Sequence, residues 1–323
     1  MKNDRVQQQL EHLKSVRSAG RSQETVAELR KALRDKVNLI VAKAATVAGD
    51  WQESALLPDL LTAFDRLFVK AAESDPQCWG KNAISQALKD LGCDDSAVFL
   101  RGVQHHQWEP VRGGKSDTAG VLRATCALAL VQCRDIRRGE ILLHLVNAVT
   151  EDDAKVRADA ARALEQMGGE DAALLLRLKA RAGDEEVRVT GQVLESLLEL
   201  ESAAGIPFVA EFLQHKNEEV REEAALALGA SRLPEALAVL QAEWAKVQAQ
   251  GGGAVLLRAM STSRLDPALD FLLQQVSTAR LRVAEEALQA LELHRESEQI
   301  VARVAEAVAG REELESVFRR RFT

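Results

Sequence analysis

The sequence predicts an all-α fold, an α-solenoid of about nine helical hairpins. Three observations carry this. First, the run Val156 to Leu164 places apolar residues at the start and four, five, seven and eight positions on, which is one face of an α-helix. Second, the template recurs from starts at Val37, Gly80, Leu122, Val156, Val189, Val220, Gly252, Val283 and Leu314, with gaps of 43, 42, 34, 33, 31, 32, 31 and 31 residues. Third, seven of the nine residues at the seven-on position are Ala, and the eight-on residue is apolar every time. A steady period near 31 implies one supersecondary unit per period. A small residue held at one phase lets a neighbouring helix approach closely, while the large residue beside it fills the adjoining space.

Each templated helix is preceded by a second apolar stretch, as at Ile141 to Val146, Ala172 to Leu178, Ile206 to Leu213, Leu233 to Leu240 and Leu269 to Val276. Cap and turn formers lie between the two: Asp152, Asp153, Asp184, Asn217 and Thr278. Helix, turn and helix in about 31 residues is an αα-hairpin array.

The segments DDAKVRADAARALEQMG (152–168), DEEVRVTGQVLESL (184–197) and NEEVREEAALALG (217–229) resemble the HEAT-repeat family, particularly its short bacterial type. The resemblance covers 136–231 well, extends to 294, and thins over 22–133, where the period is longer. It implies an inter-repeat ladder through Asp153, Arg157, Asp184, Arg188 and Arg221. It also implies a concave surface lined by second helices, whose outward positions include Arg162, Glu195, Arg258 and Gln289. The motif specifies a fold and says little about activity.

In chain order, residues 1–21 carry a narrow stripe of Val6, Leu10, Leu13 and Val16, as expected of an N-terminal capping helix ended by Gly20, with Ser22 free to cap the next. Residues 22–133 hold three longer units. Pro58 opens or kinks a helix there, Asp75-Pro76 marks a turn, and Phe64, Leu67, Phe68 and Trp79 are expected in the interior.

The third unit contains VQHHQWEPVRGGKSDTAG (103–120), far longer than the other turns. Overlong segments on a regular scaffold are where function concentrates. The inserted loop, near 105–117, combines His105, His106, Trp108, Arg112 and Lys115 and is the candidate binding element. Its alternative is an ordered surface loop with Trp108 tucked against the stack. Asp117 is the expected N-cap of the helix that follows. Adjacent His105 and His106 diverge and cannot converge on zinc, so no metal site is read here. RGGKSDT lacks the full phosphate-binding motif. A general acid–base pair of either His with Glu109 is conceivable, but no nucleophile accompanies it.

From 134 to 323 the repeats are regular. His144 reads as a satisfied side chain, and Pro207 and Pro234 as first-turn residues. QAQGGG (248–253) is a possible hinge, and Arg319, Arg320 and Arg321 make a basic C-terminal cap. No strand signal stands out.

The 323 residues carry a formal net charge of −7, no Tyr and 4% aromatics. The charge is uneven: 151–243 has 20 acidic and 10 basic residues, whereas 101–138 has 3 acidic and 7 basic. Cys78, Cys93, Cys126 and Cys133 lack paired spacing, which suits a reduced, cytoplasmic protein, with Cys126 in the core. No apolar run reaches a membrane span. These features predict a non-catalytic scaffold that binds another protein or peptide, with no cofactor. Two alternatives are a nucleic-acid-binding protein similar to HEAT-like DNA glycosylases and an accessory protein similar to HEAT-like lyases. The acidic balance and the absence of a basic stripe disfavour nucleic acid.

Overall fold

A computed structural model describes residues 2–248 and 253–322. The chain divides into two compact units, Met1–Met167 and Gly168–Thr323. The expected hinge at 248–253 falls largely outside the described residues.

The first unit opens with α1 (Lys2–Ala19), which buries Leu13 and Val16 and ends at Gly20 in the left-handed region, φ +82°. Four helical hairpins follow: α2 (Gln23–Leu33) with α3 (Asn38–Asp50); α4 (Leu57–Leu67) and the single turn α5 (Ala71–Ser74) with α6 (Trp79–Asp90); α7 (Ser96–Val103) with α8 (Gly120–Leu130); and α9 (Arg138–Ala148) with α10 (Ala154–Met167). Ser22 caps α2 as expected, its Oγ accepting from Thr25 N at 3.2 Å while Thr25 Oγ1 accepts from Ser22 N at 2.8 Å. The second helices pack in succession, α3 on α6, α6 on α8 and α8 on α10.

The second unit holds five hairpins among the described residues: α11 (Gly169–Ala182) with α12 (Val187–Glu201); α13 (Ile206–Glu211) with α14 (Glu218–Ala230); α15 (Pro234–Val247) with α16 (Ala254–Ser263); α17 (Asp266–Thr278) with α18 (Leu281–Leu291); and α19 (Glu298–Val308) with α20 (Glu312–Phe322). Here too the second helices stack, from α12 through α14 and α16 to α18 and α20. Each unit is therefore an α-solenoid stack.

The small-and-large ridge forms the core of both stacks. Ala44, Ala87, Ala129, Ala163, Ser196, Ala227, Ala259 and Ala290 are all buried, and so are Leu88, Leu130, Leu164, Leu197, Leu228, Met260 and Leu291 beside them. The exception is the last turn, where Arg321 reaches Glu292. Glycine carries the close approach furthest at α14 and α16. A Cβ on Gly229 would lie 2.1 Å from the backbone oxygen of Ala259. In the third hairpin a Cβ on Gly102 would lie 2.2 Å from the Sγ of buried Cys126.

Three local expectations are corrected. Trp79 is not interior: it begins α6 and is 44% exposed. Thr278 closes α17, its Oγ1 donating to Gln274 O at 2.8 Å, and does not cap α18. A strand pair is also present. Residues 108–117 form a two-stranded antiparallel β-hairpin, β1 (Trp108–Val111) and β2 (Gly114–Asp117), between α7 and α8. Four-residue strands are too short to display alternation, and Pro110 masks what little there is.

Candidate functional site

The β-hairpin stands between α7 and α8, where most of the other described helical hairpins have a short turn. Its register pairs Trp108 with Asp117, Glu109 with Ser116, Pro110 with Lys115 and Val111 with Gly114. Gly113 supplies the positive φ, +98°, at the second turn position after Arg112. Side chains alternate across a strand pair, so Trp108, Pro110, Lys115 and Asp117 share one face and Glu109 points from the other.

The Glu109 face is the anchored one. Glu109 Oε1 accepts from Gln77 N at 2.6 Å, Gln107 Nε2 at 2.6 Å and Thr118 Oγ1 at 2.8 Å. Burial alone would raise its pKa, but these donors outweigh burial and hold the carboxyl below its ordinary range.

Beneath it lies a buried polar network. Lys81 and Asp75 are both fully buried and 3.1 Å apart. Asp75 also accepts from Gly80 N (2.8 Å), Lys81 N (2.9 Å) and Asn38 Nδ2 (2.9 Å). Lys81 Nζ donates to Leu67 O at 3.3 Å and to Gln107 Oε1 at 3.0 Å, which ties α6 to the base of the β-hairpin. Gln107 donates in turn to Asp75 O at 2.9 Å. The backbone is bent to make this fit: Gln77 and Cys78, neither of them glycine, sit at φ +59° and +55°. Burial pushes the Cys78 thiol up to about 11, away from the thiolate form.

The other strand end is held by Arg123, which is buried. Its Nη1 donates to His105 O (3.0 Å) and Asp117 Oδ2 (2.7 Å), and its Nη2 to Glu151 (2.8 Å) in the following hairpin. Asp117 also accepts from Gln107 N (2.9 Å), Ala119 N (3.0 Å) and His106 Nδ1 (2.9 Å). Burial works against the Asp117 carboxylate, yet these donors pull its pKa from 3.8 down to about 2. Asp117 was the expected N-cap of α8. Its side chain instead ties the base of the β-hairpin together, and α8 begins only at Gly120.

The five expected loop residues divide between these faces. His105 packs edge-to-face on Phe68 at 4.8 Å and donates to Gln107 Oε1 at 3.2 Å, and burial lowers its pKa. His106 pairs with Asp117. Neither reaches Glu109, whose partners are Gln107, Gln77 and Thr118. Trp108 is 59% exposed and is not tucked against the stack. Arg112 and Lys115 are exposed and have no ion-pair or hydrogen-bond partner among the described residues. A pocket of about 290 Å³ lies beside His106, lined also by Gln104, Arg123, His144, Asn147 and Glu151. Among the described residues no group of three or more His, Cys, Asp or Glu is placed to hold a metal ion.

Sequence reasoning passed over Lys81 and Arg123. A signal existed: each directly follows a first template position, Gly80 and Leu122, as Arg157 follows Val156 and Arg221 follows Val220. All four cations return to carbonyls before their own helix. Arg157 donates to Glu151 O and Asp152 O, both at 2.7 Å, and Arg221 to His215 O at 3.0 Å. Asp153 and Asp184 accept from Lys155 N and Glu186 N, at 2.8 and 2.9 Å, as helix-start residues. Asp184 also pairs with Lys179 at 2.7 Å. Arg188 is exposed, because Val189 is the buried first position and Thr190 takes the phase of Arg157.

On the outer face of the second helices, Arg162 is exposed and donates to Asp159 at 2.6 Å. Arg258 and Gln289 are exposed and Glu195 is half-buried. Burial raises the Glu223 pKa, and the charges of Arg188, Glu195, Glu222 and Arg258 act on it.

The class these features define is an α-solenoid of helical hairpins with a grafted β-hairpin. The family comparison agrees: residues 174–246 match the model for HEAT repeats, so this stretch carries HEAT repeats. No curated protein sequence matches the chain. Among solved structures, human deoxyhypusine hydroxylase in complex with glycerol is 20% identical, covering 88% of this chain and 89% of that one, with a TM-score of 0.28. That score carries no argument about function.

Proposed function

We propose that this protein is a non-catalytic interaction scaffold of a reducing cytoplasm, which binds another protein or peptide. HEAT repeats commonly mediate protein interactions, and no helix of the described residues is long and apolar enough to cross a membrane. The observation that carries the reading is the β-hairpin, whose base is anchored by buried ions while Trp108 at 59% and Val111 at 49% face solvent. Large aromatic side chains held on a rigid support are what interfaces use as anchors. In this reading His105 and His106 belong to the support, and Trp108, Arg112 and Lys115 to the contact. Arg162 on the first unit and, separately, Glu195, Arg258 and Gln289 on the second are proposed as further contact positions on second helices, and their mixed signs suit a specific protein surface. Asp153, Arg157, Asp184, Arg188 and Arg221 are proposed to link neighbouring repeats.

The test is affinity capture from a bacterial lysate with the full chain and with Trp108→Ala and Arg112→Ala. A defined protein retained by the parent chain and lost by the variants supports the reading. Capture that is indifferent both to these changes and to Glu195→Ala and Arg258→Ala contradicts it, as does recovery of nucleic acid alone.

A further inference from the structure

We propose that the outward face of the β-hairpin receives an extended acidic peptide segment bearing a large apolar side chain. The apolar side chain lies against Trp108 and Pro110, and the flanking carboxylates meet Lys115 and Arg112. The inference rests on the scaffold reading above and adds the chemistry of the partner.

Three observations lead to it. The register places Trp108, Pro110, Lys115 and Asp117 on one face, with Asp117 turned to Arg123 and His106 at the base and Arg112 at the adjoining turn. An aromatic ring and a proline beside a lysine form an apolar strip with a cation at one end.

The second observation is charge. The β-hairpin contains two carboxylates and two cations, but the carboxylates are consumed. Glu109 is held by three donors, and Asp117 by Arg123, His106 and two backbone N–H groups. Arg112 and Lys115 have no partner among the described residues. The exposed face therefore presents two unpaired cations on a chain whose formal net charge is −7. Such a local reversal favours an acidic partner and disfavours a basic one.

The third is rigidity. Because the base is locked through Gln107, Asp117 and Arg123, little order has to be gained on binding. Duplex DNA fits this face less well. Tight phosphate binding draws on roughly 6–10 basic contacts, and this face offers two cations beside apolar surface.

Fluorescence anisotropy tests this with the full chain. The probe is a fluorescein-labelled peptide of about eight residues, Glu and Asp flanking a central Leu-Phe, longer than the roughly 13 Å span of each strand. Saturable binding is expected, weakened about tenfold or more by Trp108→Ala and again by Arg112→Glu with Lys115→Glu, and reduced by added salt. Trp108 is exposed, so Trp108→Ala should keep the parental circular dichroism and melting temperature, and a loss of binding then reports the contact. A peptide with Lys in place of the acidic residues should bind far more weakly. The inference is overturned if the acidic peptide fails to saturate, binds the variants as well as the parent, or is matched by the lysine peptide or by a duplex of about 20 bp. A lysate partner whose capture needs Glu195 and Arg258 but not Trp108 would overturn this inference and leave the scaffold reading standing. Failure of both capture and peptide binding removes both.

Discussion

At the scale of single residues, two buried ion pairs decide whether the β-hairpin is held. Lys81 and Asp75 are without solvent contact, and each is satisfied by more than its partner. Removing one member of such a pair strands the other's charge. Lys81→Met is therefore expected to lower stability by about 3–5 kcal/mol in denaturant titration, whereas replacing both residues by apolar ones of similar volume should cost much less. Asp117 sets an acid limit. Its folded-state pKa, about 2, lies below the ordinary 3.8, so its ionised form adds stability that is fully present above pH 4 and is lost as the pH falls toward 2. Melting temperatures of the parent and Asp117→Asn should therefore differ most at neutral pH and converge as the pH falls to about 2. A constant difference across that window would contradict the assignment.

Residue roles were unevenly legible in the sequence. The buried Ala and Leu positions follow from spacing alone, because a helix face repeats and burial repeats with it. Asp117 was visible as a helix-start residue, but local preference could not reveal the demands of Gln107, His106 and Arg123 on the same carboxylate. Trp79 shows the opposite failure. Its apolarity suggested the core, whereas its place at the first turn of α6 leaves it in solvent. Lys81 was obscured because Gly80 precedes it where all but one of the other hairpins have Val or Leu, so the cation lacked its usual flag.

At the scale of elements, the second helices approach closely only where side chains vanish. Gly229 is the sharpest case, since the obstacle to a side chain there is the backbone of α16. Gly229→Ala is expected to destabilise the chain by about 1–3 kcal/mol despite the higher helix propensity of Ala, because one helix has to move. A neutral or stabilising effect in thermal denaturation would show that α14 and α16 are less tightly packed. The β-hairpin is the element the sequence concealed. Its Gly pair and its length marked a departure from the repeat, but strands of four residues with an internal proline leave no periodic trace. Its exposed positions tolerate change: Trp108→Ala should alter stability by no more than about 0.5 kcal/mol, as for surface sites elsewhere.

At the scale of the whole molecule, each unit is stabilised by repetition, with every helical hairpin closing the one before it. That regularity explains why the fold class could be read from a 31-residue period, and why function could not: a ridge that serves packing is silent about partners. The departure from the period holds the information. The account stands on the β-hairpin being part of the folded scaffold, held rigid at its base. Hydrogen–deuterium exchange at the amides of Gln107 and Thr118 tests this most directly, because they donate to Asp117 Oδ1 and to Gln107 O, both at 2.9 Å. Protection comparable with the interiors of α6 and α8 is the result expected. Exchange at the rate of an unstructured loop would contradict the account.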